Sequence, residues 1–320
     1  MDLYPLKFQP LYQETIWGGR NLERLFDRDL SDGALVGESW ELADLVDGVS
    51  VVDNGPQEYQ PITRLIEMWG EALLGKAQAT EDGRFPLLLK FLDANEVLSL
   101  QVHPDAAAVA KLGNGATLKT ECWYIVESRD GYLYKGFDGD VTPDAFHDAI
   151  IEDRSEEFVK RYDCVEGDFH FLPAGTVHAV GEGVVVAEIQ TPSNMTYRVS
   201  DWGRGREVHI QNSLQAIHFT PVTDTVPGAA GETLVACDYF TVVKRTAATG
   251  QRTETPAGQC VAIMLLSGSV DAVHAGEVES CVPLRAGETV LLPAGLSGAA
   301  LVVGDEATWL EITLPEGKVL

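Results

Sequence analysis

The 320-residue chain predicts a mainly β protein built as two tandem β-barrels, the first carrying short helical inserts. Three observations point there. Short apolar or alternating runs bounded by Gly, Pro, Asn and Asp recur along the chain. Apolar stripes at helical spacing occur in three places only. One segment also repeats: residues 166–178 read EGDFHFLPAGTVH and residues 286–298 read AGETVLLPAGLSG. Gly167, Pro173, Ala174 and Gly175 thereby match Gly287, Pro293, Ala294 and Gly295 at a constant offset of 120.

Each element follows from its own stretch. Strands are expected at GESWELADL (37–45), FPLLLKFL (85–92), ECWYIVES (121–128), GVVVAEIQ (183–190), QCVAIMLLSGSV (259–270) and ETVLLPAG (288–295). The first helical insert spans about residues 57–80, where Ile62, Leu65, Ile66, Trp69 and Leu73 form one apolar stripe. The second spans about 104–116, centred on an alanine-rich run. The third spans about 142–160, where Thr142 supplies a cap and Pro143 the first helical position. Regular strand–helix alternation is missing, which argues against βαβ units. The repeat divides the chain into a first barrel with inserts, residues 1–220, and a second barrel, residues 221–320. Where the first copy has His178 the second has Gly298, so at most one barrel is expected to hold metal chemistry.

Composition narrows the function. With 45% hydrophobic and 22% charged residues, the chain has the balance of a folded globular protein. A formal net charge of −26 repels nucleic acid and anionic membrane alike, so neither is expected as a partner. A small anionic substrate stays compatible if a few Lys or Arg converge. No run approaches the ~20 apolar residues of a membrane span, and no basic-then-apolar leader follows Met1, so a cytoplasmic location is expected. Five widely spaced cysteines without a CxxC pair fit reduced thiols rather than a disulfide framework.

The chemistry-bearing stretch is LSLQVHPD, residues 98–105. Side chains two apart on a strand share a face, so Gln101 and His103 point one way and Leu100 and Val102 the other. Alone, the pair also describes a hydrogen-bonded core couple. Glu121 opens ECWYIV on the face of Trp123 and Ile125, where a carboxylate is costly to bury unless paired or metal-bound. A solvated strand end or a salt bridge to Lys119 would also accommodate it. His178 follows the Pro–Ala–Gly turn. Together these supply two imidazoles, one carboxylate and one amide oxygen, a set that suits Zn²⁺ with open positions and also admits Fe²⁺, Mn²⁺ or Co²⁺. His147, His209, His218 and His274 read as surface or structural, and His170 has no assignment.

GDFHFLPAGTVH fits the second cupin motif, G-x5-P-x-G-x2-H, through Gly167, Pro173, Gly175 and His178. LSLQVHPD, LKTECWYIVE and SNMTYRVSDWGR resemble the type I mannose-6-phosphate isomerases in their short bacterial form, as do ETIWGG and GESWELAD near the start. The resemblance covers most of residues 1–206. It implies two cupin-like jelly-roll barrels, one Zn²⁺ per chain held by Gln101, His103, Glu121 and His178, and interconversion of mannose 6-phosphate with fructose 6-phosphate. It answers why an amide stands beside an imidazole, since this family uses Gln where ordinary cupins use His. It also implies roles for Arg198 as enediolate stabiliser or substrate clamp, Glu188 as proton shuttle, and Lys119 as a proton or phosphate group.

Phosphate requires concentrated cations in so acidic a chain. Lys90, in LLLKFL, and Lys119 are the first candidates, followed by Arg204 and Arg206, while Trp17 beside Gly18 and Gly19 is expected to wall the substrate site. Arg198 is followed by VSDWGRGRE rather than the lysine-bearing tail of longer relatives, so the phosphate contact is expected to differ. Two other readings compete: a non-catalytic sugar-binding bicupin, and an iron-dependent cupin dioxygenase, which Gln101 argues against. The oligomeric state is left at monomer or homodimer.

Overall fold

The computed structural model describes residues 2–113, 115–220, 233–275 and 281–318. Within them the chain is mainly β, with every ladder antiparallel and three large sheets. The expected division between residues 220 and 221 abuts residues 221–232, which lie outside the described residues.

The first part of the chain forms a six-stranded and a five-stranded sheet. The six-stranded sheet runs, in spatial order, Phe169–Leu172, Glu121–Ser128, Val184–Gln190, Leu88–Ala94, Val36–Leu42 and Leu11–Gly19. The five-stranded sheet runs Val159–Asp163, Tyr132–Phe137, His178–Val180, Leu100–Val102 and Tyr197–Ser200. Leu92, Trp123, Ile125 and Val186 from the first pack with Leu133 and Val180 from the second, so the two sheets face each other across one interior. The strands Leu88–Ala94 and Val184–Gln190 are buried at every residue, because the other face of the six-stranded sheet is covered too.

That cover comes from the C-terminal sheet and from helices. Strands Thr241–Ala247, Val261–Val273, Thr289–Leu292 and Ala300–Thr313 form the body of an eight-stranded sheet. Its face bearing Val242, Ala262, Met264, Leu291, Leu310 and Ile312 joins Leu89, Phe91, Cys122, Tyr124, Ala187 and Ile189 in one core. The N-terminal strand Leu6–Lys7 is added to this C-terminal sheet, pairing with Leu291 and Val290. Helix Ile62–Trp69 buries Ile62, Leu65, Ile66 and Trp69 against the same core, as its apolar stripe requires.

Ala106–Leu112 and Pro143–Ile151 are helices capped by Asp105 and Thr142, whose side chains accept from the amides of Ala108 and Ala145. They cover the outer face of the five-stranded sheet. Asn114, inside the second expected insert, lies outside the described residues. Helices Asn21–Phe26 and Ile210–Ala216 carry little apolar periodicity and were not signalled. Cys122, Cys164 and Cys260 are buried thiols, Cys237 is partly buried and Cys281 exposed, with no disulfide among the described residues. No helix among them is long and apolar enough to cross a membrane.

The repeat is structural. Strands Phe169–Leu172 and Thr289–Leu292 stand at the offset of the sequence match. In both copies the leading glycine is left-handed, at φ 91° and 85°, and donates to a neighbouring strand, Gly167 to Ile125 and Gly287 to Leu265. In both, the amide three residues after the proline closes a turn on its carbonyl. The chemistry is not repeated. Glu121 stands opposite Leu172, whereas the equivalent Leu292 faces Val261.

Candidate metal centre and active site

Register places the functional side chains in rows. Directly opposed residues of an antiparallel ladder share a face. Across the five-stranded sheet one row reads Lys135, His178, Gln101, Arg198. Across the six-stranded sheet a second row reads His170, Trp123, Glu188, Lys90, Trp40. Because these sheets face each other, both rows line one interior, and Trp123 packs edge-on against His178 with centroids 5.3 Å apart.

His103, Glu121 and His178 meet between the rows, all buried, with ligand atoms within 4.8 Å of one another. His178 Nε2 lies 3.1 Å from Glu121 Oε1, and His103 Nε2 lies 3.4 Å from Glu121 Oε2. His178 Nδ1 stands 2.9 Å from the Thr176 carbonyl, so it carries the proton and leaves Nε2 as a lone pair. The turn that delivers His178 is tied to His103, since the Gly175 amide donates to the His103 carbonyl at 2.8 Å.

The cluster fits a metal ion by its unsatisfied atoms. Both ring nitrogens of His103, both oxygens of Glu121 and Nε2 of His178 are buried without a hydrogen-bond partner. Buried polar atoms are normally bonded, so three neighbouring residues that each offer an unsatisfied ligand atom within 4.8 Å of the others mark a candidate cation site. Burial and the Lys119 ammonium push the His103 imidazole down to about 3, keeping it neutral and ligand-competent. Burial alone would raise Glu121, but Lys119, His103 and His178 hold it well below the usual carboxylate range. Gln101 lies beside His178 by register and is half-buried.

The other expected residues divide. Lys119 is buried and contacts Glu121 Oε2 at 2.8 Å. Glu188 is buried, accepts from Trp123 Nε1 at 2.8 Å and lies 3.3 Å from Lys90. Lys90 also contacts Glu38 Oε2 at 3.0 Å. Glu188 is therefore paired with Lys90, not with Arg198. Burial and Glu121 raise the Glu188 carboxyl above its usual value despite Lys90 and Lys119. Arg198 donates from Nη1 to the Glu207 carbonyl at 2.6 Å, while its buried Nε has no partner. Trp17 is 4% exposed and packs in the apolar cluster with Trp123 and Leu92.

Arg204 is tied to a loop. Its donors go to the Val97 carbonyl and to Asp201, and Arg206 also binds Asp201, so both clip a loop. His209, read from the sequence as surface or structural, accepts from the Arg198 amide at 3.0 Å and positions it. Sequence reasoning missed Lys135, Glu38, Trp40 and the indole of Trp123 as parts of the interior. The alternation Glu38–x–Trp40 in GESWELAD was the available signal.

A duplicated antiparallel β scaffold with a buried imidazole–carboxylate–imidazole cluster in one copy defines a metal-binding cupin. A family model described as phosphomannose isomerase type I, catalytic domain, matches residues 5–126. The mannose-6-phosphate isomerase ManA of Bacillus subtilis is 33% identical over 312 residues, covering 92% of this chain and 95% of that protein. The mannose-6-phosphate isomerase of Streptococcus mutans is 34% identical over 253 residues, covering 75% and 78%. The crystal structure of the B. subtilis mannose 6-phosphate isomerase superposes with a TM-score of 0.82 at 28% identity, over 96% of this chain and 99% of that one. The chain belongs to the type I mannose-6-phosphate isomerase family, and it is an aldose–ketose isomerase.

Proposed function

We propose that the protein interconverts mannose 6-phosphate and fructose 6-phosphate through an enediol, with one Zn²⁺ held by Gln101, His103, Glu121 and His178. The observation that carries the reading is the unsatisfied His–Glu–His cluster with a buried carboxyl, Glu188, in the neighbouring row. Zinc bound there would stabilise negative charge developing on the sugar oxygens.

The remaining work falls to side chains. Glu188 takes the proton from C2 of the aldose and returns it to C1, while a second proton passes from the C2 hydroxyl to the C1 oxygen, so that the aldehyde becomes a hydroxymethyl group and the C2 hydroxyl a ketone. The unbonded Oε1 of Glu188 is the atom available for the C2 proton. Arg198, a permanent cation with a free buried Nε, holds the enediolate or the phosphate. Lys119 anchors Glu121 and offers its remaining donors to the substrate oxygens. Trp17 walls the cavity. Lys90 we assign to Glu188 rather than to phosphate, because its ammonium already lies between two carboxylates. Arg204 contributes to substrate binding only by holding its loop. The enzyme is read as cytoplasmic, acting as monomer or homodimer, with no nucleic-acid or membrane partner.

The test is a coupled assay for fructose 6-phosphate on protein stripped with chelator and resupplied with Zn²⁺. Zinc restores turnover and His178→Ala abolishes both metal retention and activity. No turnover with stoichiometric metal would turn the reading toward a sugar-binding bicupin, and full activity after stripping would refute the metal assignment.

A further inference from the structure

Away from the metal cluster, Lys90 is a buried charge held between two acids. Its ammonium is 3.0 Å from Glu38 Oε2 and 3.3 Å from Glu188 Oε1, and it sits 5.6 Å from the Trp40 ring centroid. Each carboxylate is also held by an indole. Trp40 Nε1 donates to Glu38 Oε2 at 2.7 Å, and Trp123 Nε1 donates to Glu188 Oε2 at 2.8 Å. Two carboxylates thus share one buried ammonium, and each is fixed by a tryptophan on its own strand or the next. The sharing is unequal. Glu38 has the shorter contact, while Glu188 Oε1 accepts no hydrogen bond.

A purely structural ion pair would need only one carboxylate. A second acid in a buried site adds repulsion and desolvation cost, which nothing in the packing requires. We propose that Glu38 is a positioning residue for the isomerisation: by engaging Lys90 it keeps the ammonium from closing on Glu188 and leaves Oε1 open to the substrate proton. This rests on Glu188 being the proton shuttle. The charges that act on Glu188 are Glu121, Lys90, Lys119 and Glu38. Burial is opposed at Glu38 by Lys90 and the Trp40 indole, so Glu38 is lowered and stays ionised, while Glu188 is raised.

The prediction is specific to turnover. In zinc-loaded full-length enzyme, Glu38→Gln lowers kcat about 10- to 100-fold, a fraction of what positioned proton transfer supplies. KM changes by no more than about threefold, because Glu38 acts through Lys90 and not on bound sugar. Glu38→Asp recovers part of the loss. In a Lys90→Gln background, Glu38→Gln has no further effect on kcat, which a merely structural role would not reproduce. If Glu38→Gln does not fold, Trp40→Phe removes one hydrogen bond to Glu38 and lowers kcat about 2- to 10-fold in the same pattern. Unchanged kcat in Glu38→Gln, or additive losses with Lys90→Gln, overturns the inference while wild-type activity stands. Inactive zinc-loaded wild type would instead overturn the proposed function, and a fully active Glu188→Gln would remove the shuttle on which the inference rests.

Discussion

His103 shows how a single residue is made fit for a metal. Its ring is wholly buried, and burial with the Lys119 ammonium lowers its proton affinity from 6.5 to about 3. The sign of the resulting pH dependence follows directly. In the unfolded chain His103 takes up a proton below about 6.5, whereas in the fold it does so only near 3. Its contribution to stability is therefore complete above 6.5 and is lost as pH falls toward 3. Glu188, raised in the fold, works in the opposite sense, so the His103 share must be isolated by difference. Chelated wild-type protein is expected to lose Tm more steeply between pH 7 and pH 5 than chelated His103→Gln, a window bounded by the usual imidazole value of about 6.5. Parallel slopes would show that His103 does not titrate as its burial requires.

At the scale of elements, the two Pro–Ala–Gly turns are a natural comparison. Gly175 has φ 88°, in the left-handed region, and a Cβ placed there would lie 2.5 Å from the His218 ring. Gly295 is not left-handed, and its Cβ would meet the end of the flexible Leu3 side chain at 2.6 Å. Gly175→Ala is expected to cost about 1–3 kcal/mol through backbone strain. It also weakens metal binding, because the Gly175 amide ties the turn bearing His178 to the His103 carbonyl. Gly295→Ala is expected to cost under about 1 kcal/mol, as a change away from strained backbone does. Urea midpoints and zinc titration of both variants check this, and equal losses would refute it. The copies share strand, leading glycine and turn hydrogen bond, yet one turn is held in a conformation only glycine adopts readily, and that one delivers a ligand.

For the whole molecule the duplication does not amount to two independent units. The six-stranded sheet has one face in the barrel interior and the other in a core shared with the C-terminal sheet. Phe91, Tyr124 and Ile189 meet Met264, Leu291 and Ile312 there. Strand Leu6–Lys7 crosses over to pair with Thr289–Leu292. We propose residues 1–220 as the part that carries the centre and 221–320 as its cover, the two sharing that core. Thermal unfolding of the metal-free chain is accordingly expected to be one cooperative transition by calorimetry, and residues 1–220 expressed alone to expose that apolar face and aggregate. Two separated transitions, or a soluble folded 1–220 fragment, would show that the halves stand alone.

Much of this was determined by sequence alone, because it depends on local alternation and on single residues. His103 before a proline, Glu121 at a strand start and His178 after a glycine turn point to the cluster that the fold brings together. Gly298 in place of His178 marks the silent copy, which the structure extends by placing Val261 in the register position of Glu121. What only the tertiary structure decided is which charge meets which. Lys90, a phosphate candidate by sequence, lies between Glu38 and Glu188, from strands far apart in the chain. Lys135 passed unnoticed until register set it beside His178. Arg204 donates to the Val97 carbonyl, a partner no local pattern announces. Strand alternation fixes the face a side chain takes, whereas its cross-strand neighbour depends on non-local pairing that no short window of sequence contains.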